Sequence, residues 1–379
     1  MTSLAITGAR IFDGECWHDD HALIIADETI AALLPVSALD AAMPRRRLAG
    51  GILAPGFIDL QANGGGGVLL NDTPDMASMA AMAATHQRYG TTSLLPTFIT
   101  DHPDKMALAL QAARDARHAG VPGVIGLHLE GPFIDEARRG AHPREFVRTM
   151  RQADVTILCG ADCGTLLVTL SPAQATPAMI HDMVAAGIII ALGHSDASAG
   201  QASAALDAGA RAFTHLFNAM SPLAHRAPGM VGAALTRDDA FCGVICDGIH
   251  VADMALHLAV KAKGADRLFL VSDAMPPSAG GPDEFRLQGR RVRRHEGALR
   301  LDDGTLAGCD LTMLQALRYS VEKLGLPLES ALRMASATPA TLIGRQSGLG
   351  FLRKGCRADL VHLDSGLALQ HVWVGGVAV

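Results

Sequence analysis

The chain has 379 residues, 49% of them hydrophobic and 18% charged, enough to bury one (β/α)8 barrel of roughly 250 residues with a smaller module attached. A formal charge of −6 and an aromatic content of 4% lack the basic footprint and stacking platforms of a nucleic-acid binder, so no nucleic acid partner is expected. Seven cysteines, odd in number and without a C-x-x-C pair, argue against a disulfide framework and for a reducing, cytoplasmic setting, and no apolar run approaches a bilayer span, so no membrane partner is expected.

From residue 4 to about 50 the pattern is short and β-like, punctuated by Gly8 and Asp13-Gly14. At Gly51 it changes to apolar strands separated by Ala-rich helical segments, the rhythm of repeated βα units. Eight strands are predicted, at 52–58, 92–98, 124–130, 165–170, 188–194, 211–215, 243–247 and 268–273, with helices at 76–89, 105–119, 178–186, 198–208 and 252–263 between them. That count predicts a TIM barrel over 51–349. Two more helices are expected near 311–324 and 328–336, followed by strand-like alternation at 359–363 and 371–374. Neither β-rich end can bury a sheet face alone, so residues 1–50 and 350–379 are expected to meet in one small β-sandwich domain. The runs Arg45–Arg47 and Arg290–Arg294 read as solvated surface, and Asn63 with the four glycines after it reads as a flexible loop at the barrel mouth.

Side chains at the carboxyl ends of barrel strands converge on one mouth. Here Glu130 ends the third strand, His194 the fifth and His215 the sixth, His250 follows the seventh, and Asp273 ends the eighth. One carboxylate with two imidazoles is a ligand set that leaves a coordination position open, as hydrolytic metal sites do. Glu130, His194 and His215 are therefore the expected ligands, and Asp273 the expected base for an attacking water. His128, two residues before Glu130, is either a group that orients a ligand or a packed core histidine. Cys159, Cys163, Cys242 and Cys246 read as buried small hydrophobes.

The motifs PGFIDLQANGGGG (55–67), GLHLEGPFI (126–134), GAHP (140–143), LGHSDA (192–197), THLFNAM (214–220), DGIHV (247–251), VSDAM (271–275) and LAGCDLTM (306–313) span nearly the whole chain. With them the sequence resembles the amidohydrolase superfamily and, within it, the N-acetylglucosamine-6-phosphate deacetylases. The resemblance implies hydrolysis of the acetamido group of N-acetylglucosamine 6-phosphate to glucosamine 6-phosphate and acetate. It implies one divalent metal per chain, zinc being expected, on Glu130, His194 and His215, with Asp273 catalytic. It also implies that His142, beside Ala141, acts at the acetamido group, that His250 contacts the sugar, that Asn218, Ala219 and Arg226 lie along the sugar phosphate, and that the segment Leu306, Ala307, Gly308 lines the site. A homodimer is implied as well. Where many superfamily members carry His-x-His for a second metal, this chain has Gln61 and Asn63, a vestigial second-metal position of poorer ligands. Two rival readings remain: a deacetylase of the galacto epimer, which differs at one hydroxyl, and a noncatalytic scaffold that kept the barrel.

Overall fold

From residue 57 onward apolar strands alternate with helices, and eight of those strands lie parallel in one sheet: β1 Phe57–Ala62, β2 Thr91–Ile99, β3 Gly126–Glu130, β4 Thr165–Leu170, β5 Ile189–Leu192, β6 Ala212–Phe213, β7 Phe241–Val244 and β8 Leu268–Leu270. The computed structural model describes residues 3–379. Each strand pairs with the next in chain order, the arrangement that right-handed βα crossovers produce. The intervening helices begin at recognisable caps: the Asp75 side chain accepts from the Ser78 amide, and Pro103 and Pro177 open their helices at the first turn, where a missing N–H costs nothing.

The ring closes just beyond β8. Ala62 and Ala274 form a parallel bridge, and the Asp273 amide donates to the Gln61 carbonyl at 2.9 Å. Beneath this seam the buried carboxylate of Asp59 accepts from the Ser272 hydroxyl at 2.5 Å, the Ser272 amide at 3.3 Å and the Gln61 amide at 3.1 Å. Burial pushes the Asp59 carboxyl above its usual range, against those bonds. The seam thus fixes the backbone at the two ends that carry Gln61 and Asp273.

The expected first strand, 52–58, is two strands. Ile52–Pro55 pairs with Arg10–Phe12 and Leu360–Leu363 in a six-stranded sheet outside the barrel, and only Phe57 onward joins β2. Pairing changes hands at Gly56, whose amide donates to Asp359 while that of Phe57 donates to Gly90. A Cβ at Gly56 would lie 2.2 Å from the Thr92 hydroxyl, so the handover needs glycine. The six-stranded sheet faces a four-stranded one made of Ser3–Thr7, His21–Ala26, Thr29–Pro35 and Arg45–Arg47. Between them Ile6, Leu23 and Ile25 pack with Leu53, Leu360 and Trp373 in one apolar cluster. The chain ends therefore meet, as their patterning requires. Arg46 lies over the Trp373 ring at 5.0 Å, so that run is partly engaged.

An unforeseen element sits between β8 and the next helix: an antiparallel sheet of Glu284–Leu287, Arg290–His295, Ala298–Leu301 and Leu306–Cys309. Its apolar face, with Leu287, Val292, Leu299 and Ala307, packs on Met275, Ile99 and Ala141 at the barrel mouth. Arg290–Arg294 is accordingly no solvated run. Arg290 donates to the Ala141 carbonyl, and Arg294 pairs with Asp283 and Asp310. Four arginines in six residues hid a strand whose single inward residue is Val292.

Asp59→Ala is expected to destabilise the protein by about 2 to 3 kcal/mol in denaturant titration, because three buried donors lose their acceptor. A change below about 0.5 kcal/mol, the scale of a surface substitution, would show that the seam does not depend on it.

Candidate metal centre

Glu130, His194 and His215 are brought together at the mouth. The Oε1 atom of Glu130 lies 3.1 Å from Nε2 of His194 and 2.9 Å from Nε2 of His215, and the two Nε2 atoms are 3.0 Å apart. All three side chains are buried. His194, His215 and Asp273 each take a left-handed backbone, with φ of 47°, 29° and 47°, a conformation that non-glycine residues adopt at a cost and that clusters at functional sites. In each case it turns the residue at a strand end.

The proton inventory identifies what these atoms want. Nδ1 of His194 lies 2.9 Å from the Arg138 carbonyl and must donate to it, which leaves Nε2 facing His215 and Glu130. Two imidazole lone pairs and a carboxylate cannot share so small a space without positive charge between them. Burial opposes the charge on His215, yet the Glu130 carboxylate outweighs it and raises the imidazole above its ordinary value. Burial likewise opposes charge on Glu130, and the bonds from His194 and His215 hold it well below the carboxylate range. Both shifts express one demand, which a divalent cation would meet better than a proton. The set fits a borderline metal such as zinc in donor type and number; these three are one of two mixed groups among the described residues close enough to grip an ion.

Asp273 stands beside the triad, connected through Gln61. The Gln61 amide donates to Glu130 at 3.1 Å and to Asp273 Oδ1 at 3.2 Å, and Asn63 donates to the same Oδ1 at 2.7 Å. Gln61 thus bridges the two carboxylates, and Asn63 adds a second donor to Asp273. Burial first, and then the Glu130 charge, push Asp273 up to about 7. The glycine run forms a paired, closely packed turn: Gly64–Gly65 pairs with Val68–Leu69, the His86 ring bonds the Gly64 carbonyl at 2.8 Å, and a Cβ on Gly64 would come within 2.2 Å of the Val68 carbonyl.

A cavity of about 520 Å³ opens above the triad. Ala141, His142, Asn218, Ala219, His250, Leu306 and Gly308 line it together with Asn63, Glu130, His194, His215 and Asp273. Ala307 does not line it; its side chain points into the apolar cluster of the outer sheet. Arg226 is exposed on the loop after Met220 and is absent from this wall, while Arg138 and Arg300, which sequence reasoning passed over, are part of it. Nothing in strand-end logic points to Arg300, because it lies on the unforeseen sheet. Burial, and then His194, hold His142 well below the imidazole range, so it is neutral; its Nδ1 lies 2.8 Å from the Thr100 hydroxyl. The outer sheet steadies this pair, Gln288 donating to the Thr100 carbonyl at 2.7 Å and Arg290 to Ala141.

Of the remaining histidines and cysteines, His128 lies in the barrel interior. Its Nε2 is 2.8 Å from the Thr169 hydroxyl, which in turn meets Thr214 at 2.6 Å, and burial lowers its pKa to about 4, so it is a neutral, bonded core histidine under the site. Cys163, Cys242 and Cys246 are buried as expected, whereas Cys159 is exposed at its helix end.

A parallel barrel whose strand ends gather two imidazoles and a carboxylate, with a further carboxylate beside them, is the arrangement of a metal-dependent hydrolase. The comparisons agree. Residues 52–379 match the amidohydrolase family and residues 4–53 the NagA composite domain. The chain is 40% identical to N-acetylgalactosamine-6-phosphate deacetylase of Shewanella sp. (strain ANA-3), covering 98% of this chain and 95% of that one, and 36% identical to N-acetylglucosamine-6-phosphate deacetylase of Haemophilus influenzae, covering 90% of each. Its fold superposes on the crystal structure of N-acetylglucosamine-6-phosphate deacetylase from Pasteurella multocida with a TM-score of 0.96 at 35% identity, covering 100% and 99% of the two chains. The chain belongs to the amidohydrolase family.

Elemental analysis after dialysis is expected to find one divalent metal per chain in the wild type and none in His194→Ala or His215→Ala. Because a proton on His215, whose imidazole is raised above its ordinary value, competes with the metal, affinity measured against a chelator should weaken as pH falls into the range where that ring protonates, by up to about tenfold per unit. Two retained metals, or full retention without either histidine, would contradict this centre.

Proposed function

We propose that the chain hydrolyses the acetamido group of N-acetyl-D-glucosamine 6-phosphate, giving D-glucosamine 6-phosphate and acetate, with one zinc ion held by Glu130, His194 and His215. The observation that carries the reading is Asp273 standing beside those three donors at the floor of a cavity sized for a sugar phosphate. A divalent metal bound there supplies Lewis acidity, polarising the amide carbonyl and making water nucleophilic near neutral pH. Asp273 then takes the water's proton and returns it to the departing amine, one carboxylate acting as base and as acid. The amides of Gln61 and Asn63 hold its Oδ1, so Oδ2 is the atom left for that proton. His142, neutral and bonded at Nδ1 to the Thr100 hydroxyl, presents its Nε2 edge to the developing oxyanion. His250 meets the sugar ring, and Asn218, Ala219, Leu306 and Gly308 line its path. The galacto epimer is a second reading, favoured by the name and 98% coverage of the Shewanella relative. The intact set of four polar groups speaks against a scaffold. No helix among the described residues is long and apolar enough to cross a membrane, in keeping with a cytoplasmic enzyme.

We place Arg226 at the phosphate of a neighbouring copy in a homodimer. It stands outside its own cavity, and Leu223 on the same loop leaves 52% of its surface exposed, as a loop that reaches a second chain would.

Acetate release on both epimers tests the substrate: kcat/KM is expected to favour the gluco compound, and a preference for the galacto epimer would move the assignment to the second reading. Asp273→Asn should retain its metal and lose at least roughly a hundredfold in kcat, the low end for a group that moves a proton; near wild-type turnover with metal bound would remove Asp273 from the chemistry. Arg226→Ala should lower kcat/KM for the phosphorylated sugar by roughly ten- to a hundredfold and leave unphosphorylated N-acetylglucosamine little affected. Equal losses on both would make Arg226 a structural contact, and mixed dimers with Asp273→Asn report whether it acts in trans.

A further inference from the structure

The loop that follows β3 does more than carry His142. Leaving Glu130, it runs across the ends of the next two strands: the Gly131 amide donates to the Thr169 carbonyl at 3.1 Å, the Ser171 amide to the Phe133 carbonyl at 2.8 Å, and the Asp135 amide to the His194 carbonyl at 2.9 Å. At Asp135 the side chain joins in. Its Oδ2 accepts from the Ser195 hydroxyl at 3.1 Å and from the Asp196 amide at 2.9 Å, and its Oδ1 accepts from the Gln174 side chain at 2.8 Å. A little further on, the Arg138 carbonyl takes the bond from His194 Nδ1, while the Arg138 guanidinium pairs with Asp196 at 2.8 Å. Residues 194–196 are thus gripped from one side, with Asp135 holding the carbonyl of His194 and the hydroxyl and amide that follow it. That grip falls on a backbone that has to be held. His194 sits at φ 47°, outside the region that non-glycine residues prefer, and relaxation of such a turn would swing the ring away from its partners.

We propose that Asp135 is a positioning residue of the metal centre: it holds the turn at 194–196 left-handed, and so keeps Nε2 of His194 within reach of an ion shared with Glu130 and His215. The mechanism above gives Asp135 no part, and it does not line the cavity. Its neighbouring cation, Arg138, pairs with Asp196 instead. Every side-chain or backbone group that donates to the Asp135 carboxylate is neutral, so what it supplies is geometry and not charge. An uncharged acceptor of the same shape should therefore serve in its place, whereas a side chain with no acceptor should free the turn. Groups that orient a metal ligand in this way are worth roughly ten- to a hundredfold in metal affinity. The inference rests on the reading of Glu130, His194 and His215 as ligands, and the test separates the two.

Cobalt(II) is the probe, titrated into metal-free protein with its affinity read against a chelator and its visible d–d bands recorded. The wild type should bind one equivalent tightly; a wild type that binds none would overturn the metal centre and this inference with it. Asp135→Ala should bind cobalt roughly ten- to a hundredfold more weakly, with altered d–d bands as water takes the place of a ring nitrogen. Asp135→Asn keeps an acceptor where Oδ2 stands, and Gln174 can turn its own amide to face the new side chain, so this variant should restore the wild-type affinity and spectrum. Should Asp135→Ala not fold, Asp135→Ser, too short to reach both Ser195 and Asp196, carries the same expectation of weakened binding. A merely structural role would lower the unfolding midpoints of the metal-free and metal-loaded forms alike and leave the affinity unchanged. That result, with a spectrum identical to the wild type's, would overturn the positioning role, and an Asp135→Asn protein as weak as Asp135→Ala would overturn the claim that geometry suffices.

Discussion

The site depends on an excess of negative and lone-pair electron density that the fold creates and does not itself neutralise. Glu130 is nearly enclosed, two imidazole nitrogens crowd it at 3.1 and 2.9 Å, and the outer nitrogen of His194 is committed to the Arg138 carbonyl. In a low-dielectric interior such an arrangement is costly unless a cation completes it. The protein spends backbone strain to build it, turning His194, His215 and Asp273 left-handed at their strand ends, and closes the barrel over Asp59 so that Gln61 and Asp273 hold their places.

One consequence is the division of labour between the carboxylates. Glu130 is held ionised by the groups it binds, whereas Asp273, buried and repelled by Glu130, is pushed up to about 7. Two carboxylates whose environments drive them apart can serve as ligand and as proton carrier within one pocket. Gln61 bridges the two carboxylates, and the Asn63 N–H, donating to Asp273, moderates the upward push without cancelling it.

Much of this was legible in the sequence because barrel geometry turns strand order into spatial convergence. Glu130, His194, His215 and Asp273 could be picked out by their position at the ends of apolar runs, and the structure brings them together. The eight-strand count held, although the first run proved to be two strands, since Pro55-Gly56 lies within an unbroken apolar stretch and nothing local marks the change of partner. The outer sheet was illegible because its second strand, RRVRRH, buries a single valine and reads as charge. With it went Arg290, Arg300 and the support of His142. The glycine run after Asn63 reads as an open loop, whereas its glycines allow close packing against His86 and Val68. Resemblance alone points to Arg226, and a single chain leaves it outside the cavity.

The central claim is that Glu130, His194 and His215 are ligands and not merely a hydrogen-bonded cluster. Anomalous diffraction from crystals of active, dialysed protein, collected across the absorption edge of the metal found in it, tests this most directly. The account predicts one strong peak at ~2.0 to 2.2 Å from Glu130 and from Nε2 of both histidines, with Asp273 beside it. A peak elsewhere, or fully active crystals with no peak between these three side chains, would contradict it.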